Sequence, residues 1–237
     1  MEIIQAKGLS KNYHGRMILD GLSLSINSGE VVALAAPNGA GKTTLLRLIL
    51  GLAHPTAGLV STFGNTPGID HQRINYLCEE LAVFPHNSAA GNLQISALSR
   101  TRPALDSPSI DTILRAVSLK NSRRSVGRFS LGMKRRLQLA MAVLINPADL
   151  IILDEPTNGL DIDGVLWLLA LIKDLTTVGA TLLMATHSLN DFQGVISRCL
   201  VLDRGQIAAD FRTIDAEAPL TELYQQALAG SRAGVQS

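Results

Sequence analysis

Ala35-Ala36-Pro37-Asn38-Gly39-Ala40-Gly41-Lys42-Thr43-Thr44 departs at one position from a phosphate-binding loop. The pattern G-x-x-x-x-G-K-[ST] works because successive backbone N–H groups curl around phosphate oxygens, a lysine reaches the terminal phosphates and a hydroxyl holds magnesium. Gly41, Lys42 and Thr43 fill the last three positions, whereas Ala36 stands at the first. The surroundings suit the motif. Val31 to Ala35 form an apolar, partly β-branched run that reads as a strand, and Leu45, Leu46, Ile49 and Leu50 recur at helical spacing behind the loop. A helix would then point the positive end of its dipole at the anion. If the first position needs a left-handed backbone, alanine there costs about 1–2 kcal/mol. The amides that cradle phosphate lie downstream of it. The loop therefore reads as functional, with Ala36, Pro37, Asn38, Gly39, Ala40, Gly41, Lys42, Thr43 and Thr44 around the phosphates.

Outward from the loop, Leu150-Ile151-Ile152-Leu153-Asp154-Glu155 is an apolar strand that ends in two carboxylates. The carboxyl edge of a buried parallel strand is where α/β proteins place ligand chemistry. Asp154 there can hold magnesium, directly or through water, and Glu155 can polarise an attacking water.

Phe129-Ser130-Leu131-Gly132-Met133 precedes a helix whose Met133, Leu137, Ala140, Met141 and Leu144 keep one face apolar, with Ser130 placed to cap it. A Ser-x-Gly before a helix is by itself a weak signal. Followed by LIILDEPTNGLD at 150–161 and by Met184-Ala185-Thr186-His187, it resembles the ATP-binding subunit of ABC transporters. The resemblance runs from the Lys11-Asn12-Tyr13 region to about Gly205. It implies an ABC-type ATPase core of the phosphate-loop NTPase class, with an N-terminal antiparallel β layer, ATP and Mg2+ as cofactors, and a head-to-tail dimer around two nucleotides. By that resemblance Tyr13 stacks on adenine, Lys42 and Thr43 bind phosphate and magnesium, and His187 contacts the γ-phosphate. Ser130 and Gly132 would complete the partner subunit's site, and Asp161 belongs to the loop linking the two sites. Two departures stand out. Ser-Leu-Gly-Met replaces the commoner Ser-Gly-Gly-Gln, as in drug, bacteriocin and lantibiotic exporters or immunity transporters. Glu79 stands where the family usually has a glutamine near the metal and the membrane subunit; a carboxylate can accept hydrogen bonds from metal-bound water but cannot donate one.

The rest of the chain fits around these motifs. Residues 1–35 alternate short apolar strands with turns, among them Ile18-Leu19 and Leu22–Ile26. Ile74–Leu77 reads as a strand, and 88–120 as helical stretches broken by Pro103 and Pro108. After 131 a helix through Ile145, a strand Leu150–Leu153, a helix from Ile162, and strands Thr181–Ala185 and around Leu200–Leu202 predict an α/β fold with a parallel sheet. The expected organisation is one domain over residues 1–237, with an inserted helical subdomain at 85–145 and a short C-terminal tail from 212, its end Ser231–Ser237 frayed.

Composition narrows the function. The 237 residues are 46% hydrophobic, enough for a substantial core, and 21 basic against 20 acidic residues give a net charge of +1, which argues against nucleic acid as partner. Lys134-Arg135-Arg136, the most conspicuous basic run, reads as a solvated helix face. Cys78 and Cys199 are too few for a disulfide framework. Met1-Glu2-Ile3-Ile4 gives no signal-peptide pattern, and Val165–Ile172 falls short of the roughly 20 residues a bilayer span needs, so it reads as a buried helix. The expectation is a cytoplasmic ATPase subunit, peripheral on the inner face of the membrane through integral membrane partner subunits, paired with a second copy or a related subunit, and driving export. Two rivals stay open: a soluble ABC-type ATPase outside transport, and a weakly hydrolysing regulatory module, which Glu79 and Ala36 would suit.

Overall fold

The computed structural model describes residues 1–99, 103–145, 148–213, 216 and 218–233. Two sheets organise the chain. The first is antiparallel, in the order β2-β1-β4, from β1 (Glu2–Tyr13), β2 (Arg16–Asn27) and β4 (Ala57–Thr62). The second has the order β5-β6-β7-β3-β8-β9, built from β3 (Val31–Ala35), β5 (Ile74–Leu77), β6 (Leu150–Asp154), β7 (Thr181–Thr186), β8 (Arg198–Asp203) and β9 (Gln206–Arg212). It is parallel except for the β8/β9 pair. The α/β class and the antiparallel N-terminal layer are as the sequence predicts.

β3 sits between β7 and β8, and all five of its residues are buried. Alternation decides what each side chain meets. Val32 and Leu34 join a core with Ile4, Leu19, Ile26 and the apolar face of helix α1 (Lys42–Ile49), between the two sheets. Val31, Ala33 and Ala35 face the other way, into a core with Leu168 and Ile172 of α5 (Ile162–Thr177) and with Phe192. A third apolar cluster lies outside the sheets. It is made by α2 (Ala89–Ser99), α3 (Ser107–Ala116) and α4 (Leu131–Leu139), through Leu93, Ile110, Leu114 and Leu137.

Several expectations need correction. The short N-terminal strands are two 12-residue strands joined at His14-Gly15, both with positive φ, as the tight hairpin turn requires. The bulges that interrupt their register, between Ala6 and Leu9 for example, break the alternation on which the sequence reading relied. The helix read through Ile145 changes to π-type winding over Ala140–Leu144. Val165–Ile172 is helical but not fully buried, for Leu166 is 59% exposed. β4, β9 and α6 (Leu220–Ala233) fall where no element was predicted. The end read as frayed from Ser231 is helical to Ala233; residues 234–237 lie outside the described residues. The largest correction concerns the basic run. Arg135 does not face solvent: it is 1% exposed and among the largest fully buried side chains.

Candidate functional site

The loop after β3 is a turn that only glycine can make at Gly41. Its φ is 110°, and an added Cβ would lie 2.9 Å from Leu19 Cδ2 and 3.2 Å from the Ile18 carbonyl. Gly39 also has positive φ, but Ala36 does not, so the anticipated strain at the first motif position is absent. Ala36 is fully buried and its carbonyl accepts a bond of 2.9 Å from Lys42 Nζ. Helix α1 starts directly on this loop with neither a side-chain cap nor an acidic residue in its first turn. Its uncapped N–H groups and dipole are thus available to an anion.

The carboxylates arrive from β6. Asp154, its last residue, pairs in register with Ala185 of β7, and Glu155 N donates to the Ala185 carbonyl at 2.9 Å. Glu155 has φ 47°, an uncommon left-handed conformation for a residue with a long side chain. One carboxylate oxygen lies 3.2 Å from Lys42 Nζ and the other 2.8 Å from His187 Nδ1. Asp154 is 2% exposed. Burial, then the charges of Glu79 and Glu155, push its carboxyl up to about 6, against the pull of Lys42 and Arg135. Tyr76, on β5, is pushed up to about 12 by burial and by Asp154. Burial likewise raises the Cys78 thiol, which donates to the Glu80 carbonyl at 3.2 Å.

Pro37, Asn38, Gly39, Gly41, Lys42, Thr43, Thr44, Glu79, Asp154, Glu155 and His187 line one open cleft of about 570 Å3, together with Arg16, Ile18 and Asn158. A smaller cleft of about 340 Å3 shares Arg16, Ile18, Pro37, Asn38 and Gly39 and continues past Ala40 to Asp203-Arg204-Gly205. Glycine-rich backbone, a helix start, one lysine, one hydroxyl pair and three carboxylates are the chemistry of a metal-bound triphosphate. Among the described residues no group of three His, Cys, Asp or Glu side chains could cage a metal alone. Magnesium suits that donor set, since it is usually held by one or two carboxylates plus substrate phosphates. Thr43, Asp154 and Glu79 are the residues that would hold it.

Six predicted residues do not line this cleft: Ala36 is fully buried, Ala40 lines only the smaller cleft, and the other four stand elsewhere. Tyr13 is 37% exposed at the end of β1, opposite Arg16, and Lys11 Nζ lies 4.7 Å from its ring centroid. Ser130 caps α4, its Oγ accepting from Met133 N at 3.2 Å. Gly132 lies against the 158–161 turn, where its added Cβ would stand 3.2 Å from the Gly159 carbonyl. Asp161 caps α5 through Gly164 N and bonds Arg136 Nη2 at 2.6 Å; these partners, Arg136 first, hold its carboxyl below the usual range. Sequence reasoning missed Arg16, Asn158 and Arg135. Arg16 alternates with Ile18 along β2, and that spacing was its one signal.

A family model described as ABC transporter matches residues 19–158. The lantibiotic transport ATP-binding protein SrtF of Streptococcus pyogenes is 33% identical over 224 residues, covering 94% of this chain and 96% of that protein. The Nod factor export ATP-binding protein I of Burkholderia orbicola is 34% identical over 217 residues, with 87% and 70% covered. A solved structure of an ATP binding subunit of an ABC transporter superimposes with a TM-score of 0.84 at 27% identity, covering 95% of this chain and 99% of its own.

Proposed function

The chain belongs to the ABC transporter family, as an ATP-binding, ATP-hydrolysing subunit of exporter type, and from that premise we propose that it drives membrane partner subunits by ATP-dependent dimerisation. One observation carries the dimer. Ser130 and Gly132 begin a helix whose N-terminus can meet an anion, yet neither lines the cleft that holds Lys42 and Glu155. Two copies arranged head to tail would bring each helix start to the other copy's phosphates, so that both chains build each site.

Within one site, the loop amides and Lys42 bind the phosphates, and Tyr13 offers the adenine the ring face that Lys11 leaves open. Glu155 takes a proton from the attacking water, while His187, 2.8 Å from it, orients the carboxylate and reaches the γ-phosphate. Magnesium, when bound with ATP through Thr43, Asp154 and Glu79, neutralises phosphate charge. Binding closes the pair and hydrolysis reopens it, so that differential affinity for the two states becomes movement in the partner. No helix among the described residues is long and apolar enough to cross a membrane. We assign the transport path to integral membrane subunits, with this chain on their cytoplasmic side, and the direction to export, as in the Nod factor relative. Helices α2, α3 and α4, which share the third apolar cluster, form the inserted subdomain that faces those partners.

The test is Glu155→Gln in the full chain. It should keep ATP binding and form an ATP-dependent dimer on gel filtration, with hydrolysis reduced about 100- to 10,000-fold. Turnover within about threefold of the parent removes the role given to Glu155. A second reading, a subunit that binds but scarcely hydrolyses, is favoured by Glu79, whose charge stands beside Asp154. Turnover of the parent chain itself decides between the two.

A further inference from the structure

Arg135 is buried, yet among the described residues no carboxylate pairs with its guanidinium at salt-bridge distance. A buried charge without an ionic partner is costly, so its hydrogen bonds have to offset the lost hydration. All of them run to one small region. Nη1 donates to the carbonyls of Cys78 at 3.0 Å and Glu79 at 3.1 Å, and to Gln138 Oε1 at 3.1 Å. Nη2 donates to the carbonyls of Asp154 at 3.0 Å and Glu155 at 2.6 Å. Gln138, nearly one turn further along α4, donates to the carbonyls of Cys78 at 3.2 Å and Glu80 at 2.7 Å. Nε is left buried and without a partner.

The choice of acceptors is informative. Glu79, Asp154 and Glu155 are the three residues whose carboxylates line the cleft, and Arg135 takes their main-chain oxygens instead. The acids thereby stay directed at the cleft while their backbones are tied to one rigid, planar fork. At Glu155 the tie acts on a backbone at φ 47°, held on its other side by the bond from Glu155 N to Ala185. A left-handed conformation in a residue other than glycine persists only where its neighbours impose it. We propose that Arg135 is a positioning residue for ATP hydrolysis, holding the Glu155 carboxylate in working geometry and fixing the Glu79 loop against it. The inference rests on the role given to Glu155 under the proposed function. It implies that the helix offering Ser130 to a second chain also sets the geometry of its own chain's acids, over five residues of helix.

The phosphate grip should be unaffected, because Lys42 and Thr43 of α1 and the amides of the loop before it receive no bond from Arg135. The experiment compares parent, Arg135→Met and Arg135→Lys full chains by steady-state ATPase and by titration with a fluorescent ATP analogue. For Arg135→Met, kcat should fall on the order of 100-fold, the loss typical of a reacting group misplaced by about 1 Å, with nucleotide Kd within about threefold of the parent. Arg135→Lys keeps the charge but lacks the fork that spans both pairs of carbonyls, so its kcat should lie between the two. Single-turnover hydrolysis of Glu155→Gln combined with Arg135→Met should match Glu155→Gln alone within about threefold, since the group being positioned is already gone. A merely structural role predicts instead that kcat and binding capacity decline together, or that the two losses multiply; either result overturns the proposal, as does an Arg135→Met kcat within about threefold of an active parent. If Arg135→Met does not fold, Arg135→Lys decides alone, and parental turnover in it refutes the positioning role. A parent chain without ATPase activity would overturn the reading of Glu155 itself, and this inference with it.

Discussion

Asp154→Asn should make the protein more stable and the enzyme inactive. Asp154 is 2% exposed, and burial together with the charges of Glu79 and Glu155 moves its carboxyl from an ordinary 3.8 to about 6. One unit corresponds to about 1.36 kcal/mol, so keeping the group ionised at pH 8 costs the fold about 3 kcal/mol. The asparagine amide also loses hydration on burial and the cleft is open to water, which leaves a net gain of about 1–2 kcal/mol. For a chain of this length that raises Tm by about 2–8 °C. The sign with pH is fixed. A carboxyl whose folded value is raised contributes stability that is fully present below about pH 4 and is lost as pH rises through about 6. The stability of the variant relative to the parent should therefore be about 3 kcal/mol lower near pH 4 than at pH 8, rise as pH passes through about 6, and level off above that. Thermal unfolding in EDTA without nucleotide, parent against variant across that range, measures it; ATPase with magnesium should be lost in parallel. A variant less stable than the parent at pH 8, or an advantage equal at pH 4 and pH 8, would refute the reasoning.

Ser130→Arg removes a helix cap worth about 1 kcal/mol, so the chain should still fold and bind nucleotide, but gel filtration in the Glu155→Gln background should show no ATP-dependent dimer. Calorimetry should find that Ala36→Gly changes nucleotide affinity less than about tenfold while Lys42→Ala costs more than that. Because Ala36 is buried and carries no left-handed strain, its glycine variant should also lose about 1 kcal/mol of stability, visible as a lower denaturant midpoint. Glu79→Gln should leave ATPase of the free subunit within about threefold and impair ATP-coupled transport in the assembled complex; undiminished transport would reject a partner-facing role for Glu79.

The strand–loop–helix unit was legible because each part carries a local signal: a continuous apolar strand, glycines at the tight turn, and helical spacing behind. The capping serine was legible too, since Ser130 stands three residues before the N–H it accepts, whereas the same spacing at Asp161 went unread. β4 and β9 left no such trace. Ala57–Thr62 has one buried side chain and Gln206–Arg212 has none, so neither shows the alternation of a half-buried strand. Arg135 was misread for a different reason. Its carbonyl partners lie just after β5, 56 and 57 residues before it, and at the end of β6, 19 and 20 residues after it, and a run of three basic residues gives no local hint of them. The separation of Ser130 from its own chain's cleft was expected only through the family resemblance, because it depends on how α4 is docked and not on the motif.

The backbone at residue 155 has a genetic consequence. A φ of 47° suits glycine and asparagine better than glutamate, by about 1–2 kcal/mol. In mutations to those residues that relief offsets part of the loss of the buried ion pair with Lys42, so the subunit should still fold and escape cellular quality control. Such a subunit would be made in full, would bind ATP, and would enter assemblies beside normal copies without being able to leave the closed state. Chance substitutions here would thus tend to behave as dominant alleles, whereas those at a core position such as Leu34, which is fully buried, would remove the subunit and behave as recessive ones.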